Sequence, residues 1–152
     1  MAISVRAAQK EDQASIVDFQ VQLAAESEGL KLDVLRVTQG VGHIFDCPQE
    51  GHYYVAVDNR KIVACLLVLK EWSDWRARHV WWIHSVFVQK EYRRQGIFSS
   101  MYNELKVQVN ARADVAGLRL YVDKTNLAGI ETYRKLGMSS QHYHLFEWLK
   151  ND

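Results

Sequence analysis

The length, composition and charge of the chain set its broad class. Its 152 residues are 48% hydrophobic and 24% charged, which predicts one folded globular domain over residues 1–152. Nineteen basic and eighteen acidic residues give a net charge of +1, so no global electric field draws the protein toward nucleic acid or anionic lipid. We therefore expect no nucleic-acid partner, and any anion site must be local.

The first residues and the hydropathy pattern predict a cytoplasmic protein with no membrane partner. The N-terminus lacks a basic start followed by an apolar stretch, and no window approaches the roughly 20 apolar residues of a membrane span. The two cysteines, Cys47 and Cys65, are isolated, so we expect free thiols, with Cys65 buried in an apolar strand.

The first half of the chain predicts a strand, two helices and a hairpin. Alternating residues indicate a strand at 3–8, and helical spacing indicates a helix from about 11 to 27 that Gly29 ends. A second helix follows, with Asp33 as N-cap, and extends to Ile44. Residues 52–57 and 61–70 should form an antiparallel hairpin around a turn at 58–60.

The second half predicts a buried strand followed by alternating helices and strands. Residues 79–88 are apolar on both faces, which is typical of a strand at the centre of a sheet. An amphipathic helix at about 96–112 and a strand at 118–122 follow, so 79–122 predicts a parallel crossover. A helix at 126–136 and a last strand at 142–148 complete the order β-α-α-β-β-β-α-β-α-β.

The stretch EYRRQGIFSSMY, residues 91–102, is a candidate anion site between a strand and a helix. Backbone N–H groups and the positive helix end converge there, Gly96 admits a ligand close to the main chain, and Arg93 and Arg94 add charge. The alternative is the solvated basic start of an ordinary helix. The glycine patterns of nucleotide triphosphate and dinucleotide sites are absent from the stretch.

Three motifs in order resemble the GCN5-related N-acetyltransferases over nearly the whole chain. Arg93 and Gly96 occupy the first two fixed places of the family's acyl-CoA signature, [QR]xxGx[GA]. The segment NLAGIETYRKLGM resembles a second family motif through Asn126, Tyr133 and Gly137, and WWIHSVFV takes the place of the fourth strand. The resemblance implies an α/β fold with a mixed, mostly antiparallel sheet and helices on both faces.

The resemblance also implies acetyl-CoA as the acetyl donor and no metal. In the family, the pantetheine arm bonds to fourth-strand backbone and the pyrophosphate lies on the amides of the signature loop. The implied cofactor-binding residues are Val86, Phe87, Val88, Arg93, Arg94, Gln95, Gly96, Ile97, Phe98, Ser99, Asn126 and Tyr133. Phe98 departs from the Gly or Ala of the signature, and we expect its ring to turn toward the core while its backbone serves the loop.

Two residues are the candidate catalytic groups. The resemblance places Tyr133 where the family has its tyrosine acid; the alternative is an aromatic residue that packs on the sheet. His84 stands where many relatives have a glutamate base, and a histidine can take a proton at neutral pH. The alternative for His84 is a half-buried strand histidine, with an ordered water relaying the proton.

The resemblance implies transfer of the acetyl group to a primary amine of a small molecule, such as a polyamine or an amino-acid-like amine, by direct attack in a ternary complex. Glu28, Asp33, Trp72 and Trp75 fall in regions that border the family's acceptor pocket, and such residues attract a cation. The alternatives are a non-catalytic acyl-CoA-binding or regulatory module, and transfer to a protein or peptide amine. We also expect a homodimer paired through the apolar last strand.

Overall fold

The computed structural model describes residues 2–151, which divide into two compact units at Arg119/Leu120. The first unit contains a five-stranded sheet, three α-helices and two short 3₁₀ helices, and the second contains one α-helix. No helix in residues 2–151 is long and apolar enough to cross a bilayer. A single domain over the whole chain stays a prediction.

The sheet of the first unit has the strand order β1-β2-β3-β4-β5. Its strands are β1 (Ile3–Ala7), β2 (Gly51–Asp58), β3 (Lys61–Ser73), β4 (Arg78–Val88) and β5 (Val115–Arg119). Neighbouring strands pair antiparallel, except β4 and β5, which pair parallel. The predicted hairpin is confirmed: Asn59 and Arg60 turn the chain with positive φ between β2 and β3.

Helices cover both faces of this sheet, as predicted. The helices α1 (Gln13–Glu28) and α2 (Val34–Asp46) contribute Phe19 and Ile44 to a core with Tyr53. The helix α3 (Ile97–Asn110) lies on the other face, because Tyr54, the next residue of β2, donates its hydroxyl to Gln108 of α3 at 2.8 Å. The crossover from β4 through α3 to β5 is therefore confirmed.

The predicted ends of the first two helices are also confirmed. Gly29 ends α1 in the left-handed conformation, at φ 62°. Asp33 caps α2, because its carboxylate accepts from the backbone N–H of Leu35 at 3.0 Å. These two residues fix the connection between the helices.

Three strand predictions need correction. The predicted last strand at 142–148 is wrong, because these residues form no strand and are exposed along their length. A segment with the sequence pattern of a strand becomes one only where a neighbouring strand pairs with its backbone N–H and C=O groups. The predicted element order therefore loses its last strand. The strand β4 is the fourth of five in the sheet rather than the central one. The strand predicted at 118–122 begins earlier and is β5, at Val115–Arg119.

The second unit contains the helix α4 (Leu127–Lys135). Asn126 caps its start, accepting from the backbone N–H of Gly129 at 3.0 Å. Gly137, at φ 91°, ends it as predicted, and the N–H of Met138 bonds back to the carbonyl of Tyr133 at 3.0 Å.

Candidate active site

A β-bulge interrupts β4 directly after His84. His84 lies opposite Leu67 and Phe87 lies opposite Cys65, so Ser85 and Val86 together face one residue of β3. Ser85 has a φ of 55°, which an L-residue adopts at a cost of about 1 kcal/mol. The bulge changes which side chains point to each face.

Because of the bulge, His84 and Phe87 lie on the same face although they are three positions apart. Residues directly opposite in an antiparallel pair share a face, and both Leu67 and Cys65 belong to the core beneath α1 and α2. Phe87 packs in that core with its ring 5.0 Å from the ring of Phe19. His84 therefore lies on the α1–α2 side of the sheet.

The parallel ladder between β4 and β5 is short. It joins His79–Trp82 to Val115–Arg119 and ends there, while β4 continues to Val88. Residues 85–88 thus lie beyond the end of the ladder, and Val86 and Val88 are half-buried. The backbone predicted to bind the cofactor, at Val86, Phe87 and Val88, belongs to this part of β4.

The signature loop leads from β4 into α3 with two left-handed residues, Arg94 at φ 62° and Gly96 at φ 75°. A left-handed residue next to a right-handed helical one, as at Gly96 and Ile97, turns successive backbone N–H groups toward one side, which makes an anion-binding concavity. Gly96 has nothing within 4 Å of the position a Cβ would take, so the space beside it is open. The first turn of α3 adds its positive end to the same place.

The Arg93 side chain, although 40% exposed, is held against β4 and α1 rather than extended from the loop. Its guanidinium donates to the carbonyl of Val88 at 2.8 Å and to the carboxylate of Glu26 at 2.6 Å. The same group lies 5.5 Å from the centre of the Phe87 ring. Arg93 therefore ties the loop to β4 and to α1, a role that the sequence pattern does not reveal.

The other predicted loop residues divide between core and surface. Ile97 is buried, Phe98 and Ser99 are half-buried, and Gln95 is exposed. The ring of Phe98 stacks 6.3 Å from the ring of Tyr102, one turn further along α3. Phe98 is helical and its ring lies along α3, so the departure from the family signature leaves the loop intact.

His84 lies beside Trp82, which the sequence analysis did not single out. The two rings stack at 6.2 Å with 19° between their planes, as side chains two apart on one strand face can do. Burial lowers the pKa of His84 below its ordinary value. The imidazole is consequently neutral at pH 7, which is the form that accepts a proton.

Tyr133 and Asn126 both belong to α4 or its cap. Tyr133 is half-buried, and burial raises the pKa of its phenol, which stays protonated at neutral pH. The carbonyl oxygen of Asn126 is used in the helix cap. A Cβ on Gly129 would lie 2.6 Å from the amide nitrogen of Asn126, so a larger residue there would displace the capping side chain.

The four predicted acceptor residues do not share one environment. Glu28 is the exposed last residue of α1, and the Asp33 carboxylate caps α2. Trp72 lies opposite His79 with its ring 5.2 Å away, and its position in the register puts it on the other face of the sheet from His84. Trp75 is exposed in the turn between β3 and β4.

One group of side chains in the described chain has the composition of a metal site. His43, Cys47 and Glu50 each offer a ligand atom within 4.8 Å of the others, at the end of α2. His43 Nε2 already lies 2.8 Å from a carboxylate oxygen of Glu50, at hydrogen-bond distance. None of the predicted catalytic or cofactor-binding residues belongs to this group.

Comparison with solved structures supports the fold over the whole chain. A possible acetyltransferase from Clostridium difficile 630 is 37% identical, with 100% of both chains covered and a TM-score of 0.92. A predicted acetyltransferase with acetyl-CoA from Clostridium acetobutylicum is 17% identical over 99% of this chain and 96% of its own, at a TM-score of 0.74. A ribosomal-protein-alanine N-acetyltransferase from Brucella melitensis biovar Abortus 2308 is 11% identical over 98% and 100%, at a TM-score of 0.79.

The sequence itself matches a family model. A search of curated proteins gives no significant match. The model of the acetyltransferase (GNAT) family, however, matches residues 23–138, which include β4, the signature loop and α4. The fold class inferred from the motifs is confirmed, and the chain belongs to the acetyltransferase (GNAT) family as an N-acetyltransferase.

Proposed function

We propose that the protein transfers the acetyl group of acetyl-CoA to a primary amine of a small molecule, by direct attack in a ternary complex. The observation that carries the proposal is the arrangement of β4 and α3. A bulged strand that continues past its parallel neighbour leads directly into a loop with two left-handed residues at a helix start. Enzymes of this family use acetyl-CoA.

The signature loop fits a pyrophosphate on its backbone N–H groups. The open space beside Gly96 admits a ligand to the main chain, and the first turn of α3 supplies backbone N–H groups and a positive dipole end. In this proposal the loop from Arg94 to Ser99 holds the phosphates, while Arg93 holds the loop.

The part of β4 beyond the ladder fits an elongated, amide-containing arm. A strand edge presents N–H and C=O groups to any extended ligand, in the same way as it does to another strand. We assign this role to the backbone of Val86, Phe87 and Val88. The Val86 N–H is the donor that we assign to the thioester oxygen during attack, where negative charge develops.

Two side chains are assigned the proton transfers. Neutral His84 removes a proton from the ammonium of the acceptor, directly or through a water, which leaves the amine nucleophilic. The protonated Tyr133 gives its proton to the departing thiolate. Bound acetyl-CoA supplies an activated acyl group, so the chain has only to position the amine, stabilise the oxyanion and move these protons.

The acceptor is assigned to the α1–α2 side of the sheet, where His84 and Trp82 lie. Glu28 is exposed close to the end of α1, and its charge favours a cation there. The Asp33 carboxylate adds negative charge at the start of α2, which it caps. Trp75 offers an exposed aromatic face for a cation. Trp72 is the least suited of the predicted residues, because it faces the other side.

Thiol release from acetyl-CoA, measured with a panel of polyamines, amino acids, aminoglycosides and peptides with a free N-terminus, tests the proposal. We expect release that depends on a small-molecule amine. Release with peptides alone would favour a protein substrate instead. Tight CoA binding without release for any amine would favour the non-catalytic module.

Tyr133→Phe separates a chemical role from packing. We expect kcat to fall by about 10² to 10⁴-fold, because the proton donor is lost while the ring remains. KM for acetyl-CoA should stay near that of the wild type. A kcat within about twofold of the wild type would assign Tyr133 to packing.

A further inference from the structure

Three side chains at the end of α2 offer metal ligands and take no part in the proposed acetyl transfer. His43, Cys47 and Glu50 each contribute one ligand atom, and these atoms all lie within 4.8 Å of one another. His43 and Glu50 are exposed and Cys47 is half-buried, so an ion can reach the group from solvent. This group is here named the α2 cluster.

The α2 cluster forms from local chain geometry. His43 lies in the last turn of α2 and Cys47 follows four positions later, at the helix cap, so the two lie one helical turn apart. The chain then turns, and the N–H of Glu50 donates to the carbonyl of Cys47 at 2.9 Å. As a result His43 Nε2 lies 2.8 Å from a carboxylate oxygen of Glu50, and His43 Nδ1 lies 3.8 Å from the sulfur of Cys47.

Hydrogen bonds from β3 fasten this turn. The backbone N–H of Lys70 donates to the carbonyl of Glu50 at 3.0 Å, and the Lys70 ammonium donates to the carbonyl of Pro48 at 3.2 Å. On the other side, Ile44 of the last turn of α2 is buried in the core. The backbone that carries the three ligands is therefore already ordered, which lowers the entropic cost of gathering them around an ion.

The donor atoms of the α2 cluster select the class of ion. Imidazole nitrogen, thiolate sulfur and carboxylate oxygen are all ligands of Zn²⁺, whereas Mg²⁺ and Ca²⁺ are bound through oxygen. The thiolate and the carboxylate together carry two negative charges, which balance the charge of a divalent ion. A combined nitrogen, sulfur and oxygen set therefore favours zinc.

The spacing of the ligand atoms is close to that of a zinc site. Bond lengths of about 2.0–2.3 Å in a tetrahedral site place neighbouring ligand atoms about 3.3–3.8 Å apart, so the cluster needs side-chain shifts of about 1 Å. The side chains of His43 and Glu50 are 53% and 51% exposed, which leaves them room to move by this amount.

We propose that the α2 cluster binds one Zn²⁺ ion, through a ring nitrogen of His43, the thiolate of Cys47 and a carboxylate oxygen of Glu50. A water molecule completes the tetrahedral coordination, as in other zinc sites with three protein ligands. Coordination replaces the thiol proton of Cys47, which passes to solvent. The ion fastens the end of α2 to the residue that precedes β2, and the proposed steps of acetyl transfer do not use it.

Titration calorimetry with ZnCl₂, on the full chain after a chelator has removed bound metal, tests the site. We expect one ion per chain. His43→Ala, Cys47→Ser and Glu50→Gln should each weaken binding by more than about tenfold, because even residues that only orient metal ligands contribute about 10–100-fold. Asp46→Asn is the matched control, since Asp46 is an exposed carboxylate at the same helix end outside the cluster, and it should bind as the wild type does. No binding, or an unchanged affinity in any of the three variants, would overturn the proposal.

Co²⁺ in place of Zn²⁺ tests the sulfur ligand by spectroscopy. Bound Co²⁺ should show the thiolate-to-metal charge-transfer absorption in the near ultraviolet. The absorption should disappear in Cys47→Ser and persist in Asp46→Asn. Co²⁺ that binds the wild type without this absorption would exclude Cys47 as a ligand and refute the site.

Thiol labelling of the wild type tests the site without relying on the folding of a variant. Cys65 is buried, so labelling of the native chain reports on Cys47. At a free Zn²⁺ concentration of about 100 times Kd, about 99% of the chains hold the ion, and labelling should slow by more than about tenfold. A chelator should restore the original rate. A smaller effect of zinc would show that the α2 cluster is only a hydrogen-bonded group at the surface.

Discussion

Replacing Arg93 tests whether this residue holds the signature loop or binds phosphate. In Arg93→Gln the guanidinium loses the Val88 carbonyl, the Glu26 carboxylate and the Phe87 ring. A hydrogen bond from a charged donor contributes about 1.5–3 kcal/mol, whereas exposed ion pairs and cation–π contacts contribute about 0.5–1 kcal/mol each. Because the Arg93 and Glu26 side chains are 40% and 46% exposed, we discount the sum to about 2 kcal/mol.

A loss of about 2 kcal/mol corresponds to a fall in Tm of about 4–8 °C for a chain of this length. Scanning calorimetry measures it, with Arg36→Gln, an exposed arginine of α2, as the control that should leave Tm unchanged. A double-mutant cycle with Glu26→Gln should give a coupling of about 0.5–1 kcal/mol. CoA affinity, measured by titration calorimetry, should weaken because the loop is less ordered.

The salt dependence of CoA binding distinguishes the two roles. If Arg93 only positions the loop, the wild type and Arg93→Gln should show the same dependence of CoA affinity on ionic strength. An unchanged Tm together with a more than about tenfold loss of CoA affinity and a flatter salt dependence would refute the reasoning. Arg93 would then be a direct phosphate ligand.

Two further predictions concern His84 and the cysteines. The lowered pKa of His84 places the acid limb of the kcat/KM profile below the ordinary histidine value of about 6.5, and activity is lost as the pH falls through that lowered pKa. His84→Gln should remove this limb. An unchanged pH profile would favour the water relay. His84 binds a proton more readily in the unfolded chain than in the native protein, so its contribution makes the free energy of unfolding fall as the pH drops below about 6.5. In urea titrations at several pH values, His84→Gln should reduce this dependence of the free energy of unfolding on pH. Burial raises the pKa of Cys65 to about 12, so a thiol reagent should modify Cys47 in the native protein and Cys65 only after denaturation; rapid native labelling of both thiols would contradict the buried position.

Most of the fold follows from local patterns that the sequence displays. Gly29, Asp33 and Gly137 mark helix ends through their own conformational preferences, and the helical period of α3 needs no distant partner to be recognised. The hairpin at Asn59 is equally local. These elements form as predicted because short-range geometry decides them.

The features that sequence reasoning missed depend on distant partners. Arg93 meets Glu26 across 67 positions, and no local pattern indicates which acid an arginine selects. The bulge at Ser85 is set by the register against β3, and serine itself has no strong preference for positive φ. Residues 142–148 have a strand composition, but the composition does not say which edge provides the backbone partner.

The bulge divides β4 into two parts whose side chains alternate independently. Before it, the side chains of β4 alternate in the phase set by pairing with residues 67–73 of β3; after it, a new phase begins that leads into the loop. Substitutions at Trp82 or His84 therefore change one chemical surface without rotating the residues that precede the loop. On the proposed function, Trp82 belongs to the acceptor side and the residues after Ser85 to the donor side, so a substitution at Trp82 should alter acceptor preference while the backbone that we assign to the donor keeps its geometry.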